Sequence, residues 1–206
     1  VAEFPVRGVI WYQGESNAHN PDLYRIAFPE FIHSWRTHWN DPELPVLVAQ
    51  LSGIDRPSWP QFREVQRQLV AQTSHTALVV TSDLGDSLNV HPVRKEQVGH
   101  RFALQALSHV YGRNVTSEGP VPDKIKKKTD RVIIAFKHAR QLKTADGKPL
   151  RELEIAGNDS VFREVQGIIR GKRIVIQWPE ENVSPIRYAW KPFPRGNLIN
   201  QAELPA

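Results

Sequence analysis

Apolar residues recur along this chain in two rhythms, and the change from one to the other divides it. Val9–Tyr12, Val46–Leu51 and Ala77–Thr81 are short apolar runs, the pattern of strands buried on both faces. Between them, apolar positions return at helical spacing. Leu23, Ile26, Ala27, Phe31, Ser34 and Trp35 predict one helix after the turn Asn20-Pro21-Asp22. Pro29 is expected in its first turn, and Asn40-Asp41-Pro42 stops it beyond Trp39. Phe62, Val65, Leu69 and Val70 predict a second helix, begun at Ser58-Trp59-Pro60 with Ser58 as N-cap. A third runs from Lys95 to Tyr111, with Val98, Phe102, Ala106, Leu107 and Val110 towards the core and Gly112 as C-cap. Strand and helix alternate, so the first half reads as an α/β layer on a parallel sheet.

After Gly112 the helical period disappears. Val115–Asp123 is rich in Pro and Gly and reads as a linker. Beyond it, Arg131–Phe136, Leu153–Ala156, Val161–Val165 and Arg173–Trp178 are short β-type runs separated by Gly, Asn and Asp. The expected division is an α/β domain over 1–114, a linker over 115–130 and a small antiparallel β domain over 131–206.

Composition narrows the classes. A chain of 206 residues can bury roughly 70% of its unfolded surface. No stretch is long enough to span a membrane, and no N-terminal signal is visible ahead of a chain that opens at Val1. The absence of cysteine excludes disulfide and thiolate chemistry; methionine is absent too.

Charge is uneven. Residues 1–113 carry 10 basic and 11 acidic side chains, a balance of −1, leaving 17 basic and 11 acidic, or +6, for residues 114–206. Lys124, Lys126, Lys127 and Lys128 supply much of this excess. A nucleic-acid or acidic-glycan patch is one reading of them. Without interleaved aromatics, and next to prolines, a solvated linker is the expected one.

Two polar loops carry candidate chemistry. Gln13-Gly14-Glu15-Ser16-Asn17-Ala18 follows the first strand and approaches a Gly-x-Ser-x-Gly nucleophile elbow, with Ala18 for the last glycine. Ser16 is then a nucleophile, or else a turn serine. The second loop holds Asp83, Asp86, Asn89 and His91-Pro92 between a strand end and a helix start. A loop histidine near carboxylates is a candidate general base, stiffened by the following proline, or else a turn histidine. The same four residues offer oxygen and nitrogen ligands for a metal, at a spacing that matches no familiar site. Phosphate-loop and dinucleotide fingerprints are absent.

Taken together, Tyr12-Gln13-Gly14-Glu15-Ser16-Asn17, Asp83-Leu84-Gly85-Asp86 and His91-Pro92 through Lys95 resemble the sialate O-acetylesterase family, a branch of the SGNH-type hydrolases. Trp35-Arg36, Gln50-Leu51, Arg63-Glu64, Glu154-Ile155-Ala156-Gly157, Arg187-Tyr188-Ala189-Trp190 and Asn197-Leu198-Ile199-Asn200 extend the resemblance over most of the chain.

The resemblance implies an α/β, SGNH-like (flavodoxin-like) three-layer domain, incomplete at its N-terminus, then a small β domain. It implies a serine-type esterase that removes acetyl groups from O-acetylated sialic acid, acetylxylan being the rival substrate. The family's nucleophile lies in a Gly-Gln-Ser-Asn motif, which does not occur in these residues. The nucleophile is therefore expected upstream, on an N-terminal portion of the same enzyme, and Ser16 becomes the alternative. His91 matches the catalytic histidine. Three residues before it, where relatives often carry Asp, stands Leu88. Asp86, Asp83 and Glu15 thus compete as the orienting acid, with a Ser–His dyad also open. Gln13 is expected to donate to the oxyanion, Gly14 to let the backbone pass close to substrate, and Asn17 and Asn89 to contact substrate. No cofactor or metal, no nucleic acid and no membrane partner is implied; secretion or periplasmic export is. A non-catalytic glycan-binding module is the alternative from another class.

Overall fold

The computed structural model describes residues 4–179 and 185–206. Strands β1 (Val9–Trp11), β2 (Val46–Ala49) and β3 (Thr76–Val79) pair in parallel, in the order β1-β2-β3. All four residues of the central strand β2 are buried, as a parallel strand covered on both sides requires. Val46 and Val48 turn to one face, where α1 (Pro21–His38) and α2 (Trp59–Gln72) pack through Tyr24, Phe28, Ile32, Phe62, Val65 and Leu69. Leu47 and Ala49 turn to the other, meeting Ala77, Val79, Val98 and Phe102, the last two on α3 (Lys95–Gln105).

The helices depart from the sequence reading in instructive ways. α1 begins at Pro21, with the Asn20 side chain accepting from the Leu23 amide at 3.1 Å. Pro29 therefore lies in its interior, not its first turn. It is tolerated because it is exposed there, and the Arg25 carbonyl that loses its partner is on the exposed side as well. The buried stripe is Tyr24, Phe28 and Ile32, while Leu23 and Ile26 are 52% and 69% exposed. Large aromatic rings fill the space over the sheet, so the face that carries them turns inward.

Ser58 occupies the N-cap position of α2, but its side chain caps nothing; its backbone carbonyl receives the Phe62 amide at 3.1 Å. The third helix is α-helical only to Gln105, and Ala106–Val110 widens into a π-type turn. That widening rotates Leu107 off the core, leaving it 39% exposed. Gly112, at φ 61°, ends the turn.

The second half is antiparallel. β4 (Val121–Lys127), β5 (Arg131–Lys137), β9 (Gly167–Arg170) and β10 (Arg173–Gln177) form a sheet in the order β4-β5-β10-β9. β7 (Leu153–Ala156) lies between β8 (Phe162–Glu164) and β11 (Ile186–Tyr188), and β6 (Leu142–Thr144) pairs with β12 (Leu198–Asn200). Val132, Ile134, Phe136, Leu153, Ile155, Ile174 and Ile176 make the core. The stretch 115–130, expected as a linker, thus contains a seven-residue strand. β4 is an edge strand whose ladder shifts between Pro122 and Lys124. An edge bulge is where a proline can sit in a sheet, and lysines keep such an edge soluble.

Contacts divide the chain into two compact units, Val1–Ser117 with Lys191–Phe193, and Glu118–Trp190 with Pro194–Ala206. Among the described residues, no helix is long and apolar enough to cross a membrane.

Candidate functional site

The carboxyl ends of β1, β2 and β3 open onto one edge of the parallel sheet, the place where such sheets carry their ligands. Side-chain hydroxyls tie these ends together. Tyr12 Oη lies 2.6 Å from Ser52 Oγ, and Ser52 Oγ lies 3.1 Å from Thr81 Oγ1. Thr81 Oγ1 in turn donates to the Gln50 carbonyl. Gln66, fully buried on α2, accepts from the Leu51 amide at 2.9 Å and donates to the carbonyls of Ala49 and Gln13 at 3.4 and 3.5 Å. Gln66 stands out in the sequence only as part of the family resemblance, and Ser52 and Thr81 do not stand out as site residues. Ser52 and Thr81 each follow closely on a strand end, which is the one signal that could have found them.

The loop after β1 is a close-packed turn. The Asn17 amide donates to the Gly14 carbonyl, and the Asn20 amide to the Asn17 carbonyl, both at 2.9 Å. Gly14 has φ 141°, and a Cβ on it would lie 2.6 Å from Phe62 Cε1. What approaches this glycine is therefore the Phe62 ring, so its first service is to packing on α2 rather than to substrate. Burial raises the phenol of Tyr24, whose ring lies 4.7 Å from that of Phe62, above its ordinary value and keeps it neutral. Gln13 Nε2 donates to Asn17 Oδ1 at 2.7 Å. One amide hydrogen is thereby fixed and the other is left to donate elsewhere. Asn17 acts here as the residue that orients Gln13. Glu15 is half-buried and Ser16 exposed; among the described residues neither hydrogen-bonds to His91.

The loop after β3 brings the other candidates. It starts with the 3₁₀ turn Ser82–Leu84 and runs backbone to backbone along the loop after β2, for a Cβ on Gly85 would meet the Gly53 carbonyl oxygen at 1.9 Å. Asp83 is gripped by Arg101 of α3 in a two-pronged pair, Oδ1 to Nη1 at 2.6 Å and Oδ2 to Nη2 at 2.7 Å. Arg101 also donates to the Val80 carbonyl at 2.8 Å. Asp83 thus anchors α3 to the end of β3, and both its oxygens are engaged away from His91. Asp86 Oδ1 accepts from the amides of Leu88 and Asn89 at 2.8 and 3.0 Å, and Asn89 Oδ1 accepts from the His91 amide at 2.9 Å. These two side chains fold the loop onto itself and set the backbone of His91.

Val90 packs against the first core and Pro92 is buried, so the loop is pinned on both sides of His91. The imidazole itself is exposed and takes no hydrogen bond from any described residue. Lys95 Nζ sits 5.4 Å from the centre of the Tyr12 ring, joining the start of α3 to the chain entering the Gln13 loop. Among the described residues no group of three or more His, Asp or Glu could hold a metal ion. The candidate ligand set Asp83, Asp86, Asn89 and His91 is not assembled, because Arg101 holds one member and the loop's own amides hold another.

Known proteins match this chain in sequence and in structure. The family model described as carbohydrate esterase, sialic acid-specific acetylesterase, matches residues 1–108. A sialate O-acetylesterase of Mus musculus is 36% identical over 143 residues, covering 58% of this chain and 26% of that protein. The sialate O-acetylesterase of Homo sapiens is 33% identical over 143 residues, covering 58% of this chain and 27% of its own length. A crystal structure of a carbohydrate acetylesterase from Xanthomonas citri superposes with a TM-score of 0.88 at 32% identity, covering 99% of this chain and 50% of that one. This chain thus spans about a quarter of the sequence relatives and half of the structural one.

Proposed function

The chain belongs to the sialic acid-specific acetylesterase family of carbohydrate esterases, and from that premise we propose that it supplies the histidine half of a serine-type carbohydrate O-acetylesterase. The nucleophilic serine lies on polypeptide outside these 206 residues, in the Gly-Gln-Ser-Asn motif of the family. Its hydroxyl attacks the acetyl carbonyl; His91 takes the proton and returns it to the departing sugar oxygen. Water, activated by the same imidazole, then releases acetate from the acyl-enzyme. Gln13 donates its second amide hydrogen to the oxyanion, with Asn17 holding it in orientation. Such a donor contributes roughly 10²–10³ in rate.

The observation that carries this reading is the setting of His91. Its ring is exposed at the carboxyl edge of the sheet, on a loop fixed by Asp86, Asn89, Val90 and Pro92. A base held in place without a competing partner is what proton transfer from an incoming hydroxyl needs. With both Asp83 oxygens engaged by Arg101, the site works as a Ser–His dyad, or with an orienting acid from Asp86, whose loop amides both bind Oδ1, or from Glu15 on the loop after β1. α1 and α2 on one face of the sheet and α3 on the other support a three-layer, SGNH-type arrangement. The substrate is an O-acetylated sialic acid, met outside the cell or in the periplasm.

The test uses the intact enzyme, with the upstream segment joined to this chain. Hydrolysis of an aryl acetate and of 9-O-acetylated sialic acid is expected to fall by three or more orders of magnitude in His91→Ala and to survive Ser16→Ala. The 206-residue chain alone is expected to be inactive. Wild-type activity in His91→Ala would sink the assignment, and faster release of acetate from acetylxylan would move the substrate.

A further inference from the structure

The lysine-rich stretch takes on a different meaning once it is a strand. In β5 and β10, Val132, Ile134, Ile174 and Ile176 point into the core, so the residues between them face outward. Pairing sets two outward rows across the four strands. One is Lys126, Ile133, Val175 and Ile168; the next is Lys124, Ala135, Arg173 and Arg170. Ile168 is 47% exposed, and all four cations are exposed. Their side chains have no hydrogen-bond or ion-pair partner among the described residues. The acids in and beside these strands do not neutralise them: Asp123 lies 3.3 Å from Lys137, and Asp130 lies 2.8 Å from Arg131.

Edge protection accounts for lysines on β4. It does not account for Arg173, which is on an interior strand. Four like charges around an aliphatic centre repel one another in the folded state, and an anionic ligand removes that cost.

We propose that this outward face of the β4-β5-β10-β9 sheet binds an acidic polysaccharide, with Lys124, Lys126, Arg170 and Arg173 taking its carboxylates and the Ile133–Val175–Ile168 row lying under the C–H faces of its sugar rings. The choice of an acidic sugar rests on the carbohydrate-ester reading above. Two observations turn the choice away from nucleic acid. No outward position of these strands is aromatic, so unpaired bases find no stacking platform. A four-stranded face is about 14 Å across, wider than a major groove of about 12 Å.

Titration of the chain with polysialic acid tests this, read by calorimetry at low and at physiological salt. Wild type is expected to bind, more weakly at higher salt, and not to bind neutral dextran. K126Q/R173Q is expected to lose at least tenfold in affinity. K143Q/K148Q, which removes the same charge elsewhere in this unit, is expected to bind like wild type. Equal losses in both pairs, no binding at all, equal binding of dextran, or tighter binding of a DNA duplex would each overturn the proposal. His91→Ala is expected to bind polysialic acid like wild type, and K126Q/R173Q in the intact enzyme to hydrolyse an aryl acetate at the wild-type rate. Failure of the binding face and failure of the esterase reading are thereby told apart.

Discussion

Gly14 has to be glycine for two separate reasons. Its φ of 141° is closed to other residues, and a Cβ would stand 2.6 Å from the Phe62 ring. Backbone strain and overpacking together put the expected cost of Gly14→Ala at about 2–4 kcal/mol, measurable by urea unfolding. Adding Phe62→Leu to Gly14→Ala should relieve the contact and leave the strain, so recovery is expected to be partial. Gln66 makes a second test, because it meets three backbone groups from inside the core. Gln66→Leu leaves the Leu51 amide buried without a partner, at an expected cost of about 1–3 kcal/mol. The sequence marks Gly14 through the abrupt end of an apolar run. It reads Phe62 as one more residue on a helix face, since nothing local says that a ring 48 positions later will meet the turn.

Elements were legible in proportion to their length and periodicity. β2, α2 and β10 each carry a clear pattern, and their cores are where the pattern puts them. Strands of three residues such as β6, β11 and β12 carry no period. β4 is hidden by its own composition, since its lysines suggest a solvated segment and Pro122, where the ladder shifts, argues against a strand. β6 and β12 are held together at one end by Asp146, which pairs with Arg151 at 2.6 Å and receives the Asn197 side-chain amide at 2.9 Å. Arg151 and Asn197 hold the Asp146 carboxyl well below the usual carboxylate range. A folded value lowered in this way stabilises the native state above the unfolded value of about 3.9 and loses that contribution as pH falls through the folded value. Asp146→Asn is therefore expected to lower Tm at about pH 7, with the gap from wild type closing below about pH 3. A gap that persists in acid would mean that the charge is not what matters.

Among the described residues each compact unit carries its own core, divided in the first unit between the two faces of the parallel sheet. Phe62 fills the first and Ile174 the second, both fully buried. Truncation of either to Ala should cost about 2–5 kcal/mol. Scanning calorimetry is expected to show two components, with Phe62→Ala lowering one and Ile174→Ala the other; equal shifts of a single transition would refute this. Sequence alone determined the alternation of strand and helix, the turn to β structure after Gly112, the two polar loops and the family they resemble. Those are properties of local pattern, set by period 2 or 3.6 and by residues adjacent in the chain. Only the tertiary structure decided which carboxylates are spent. Arg101 reaches Asp83 across 18 positions and the Tyr12–Ser52–Thr81 hydroxyls join three strand ends. It also decided that four scattered cations share one sheet face, because strand register, a long-range quantity, aligns Lys124 with Ala135 and Arg173 with Arg170.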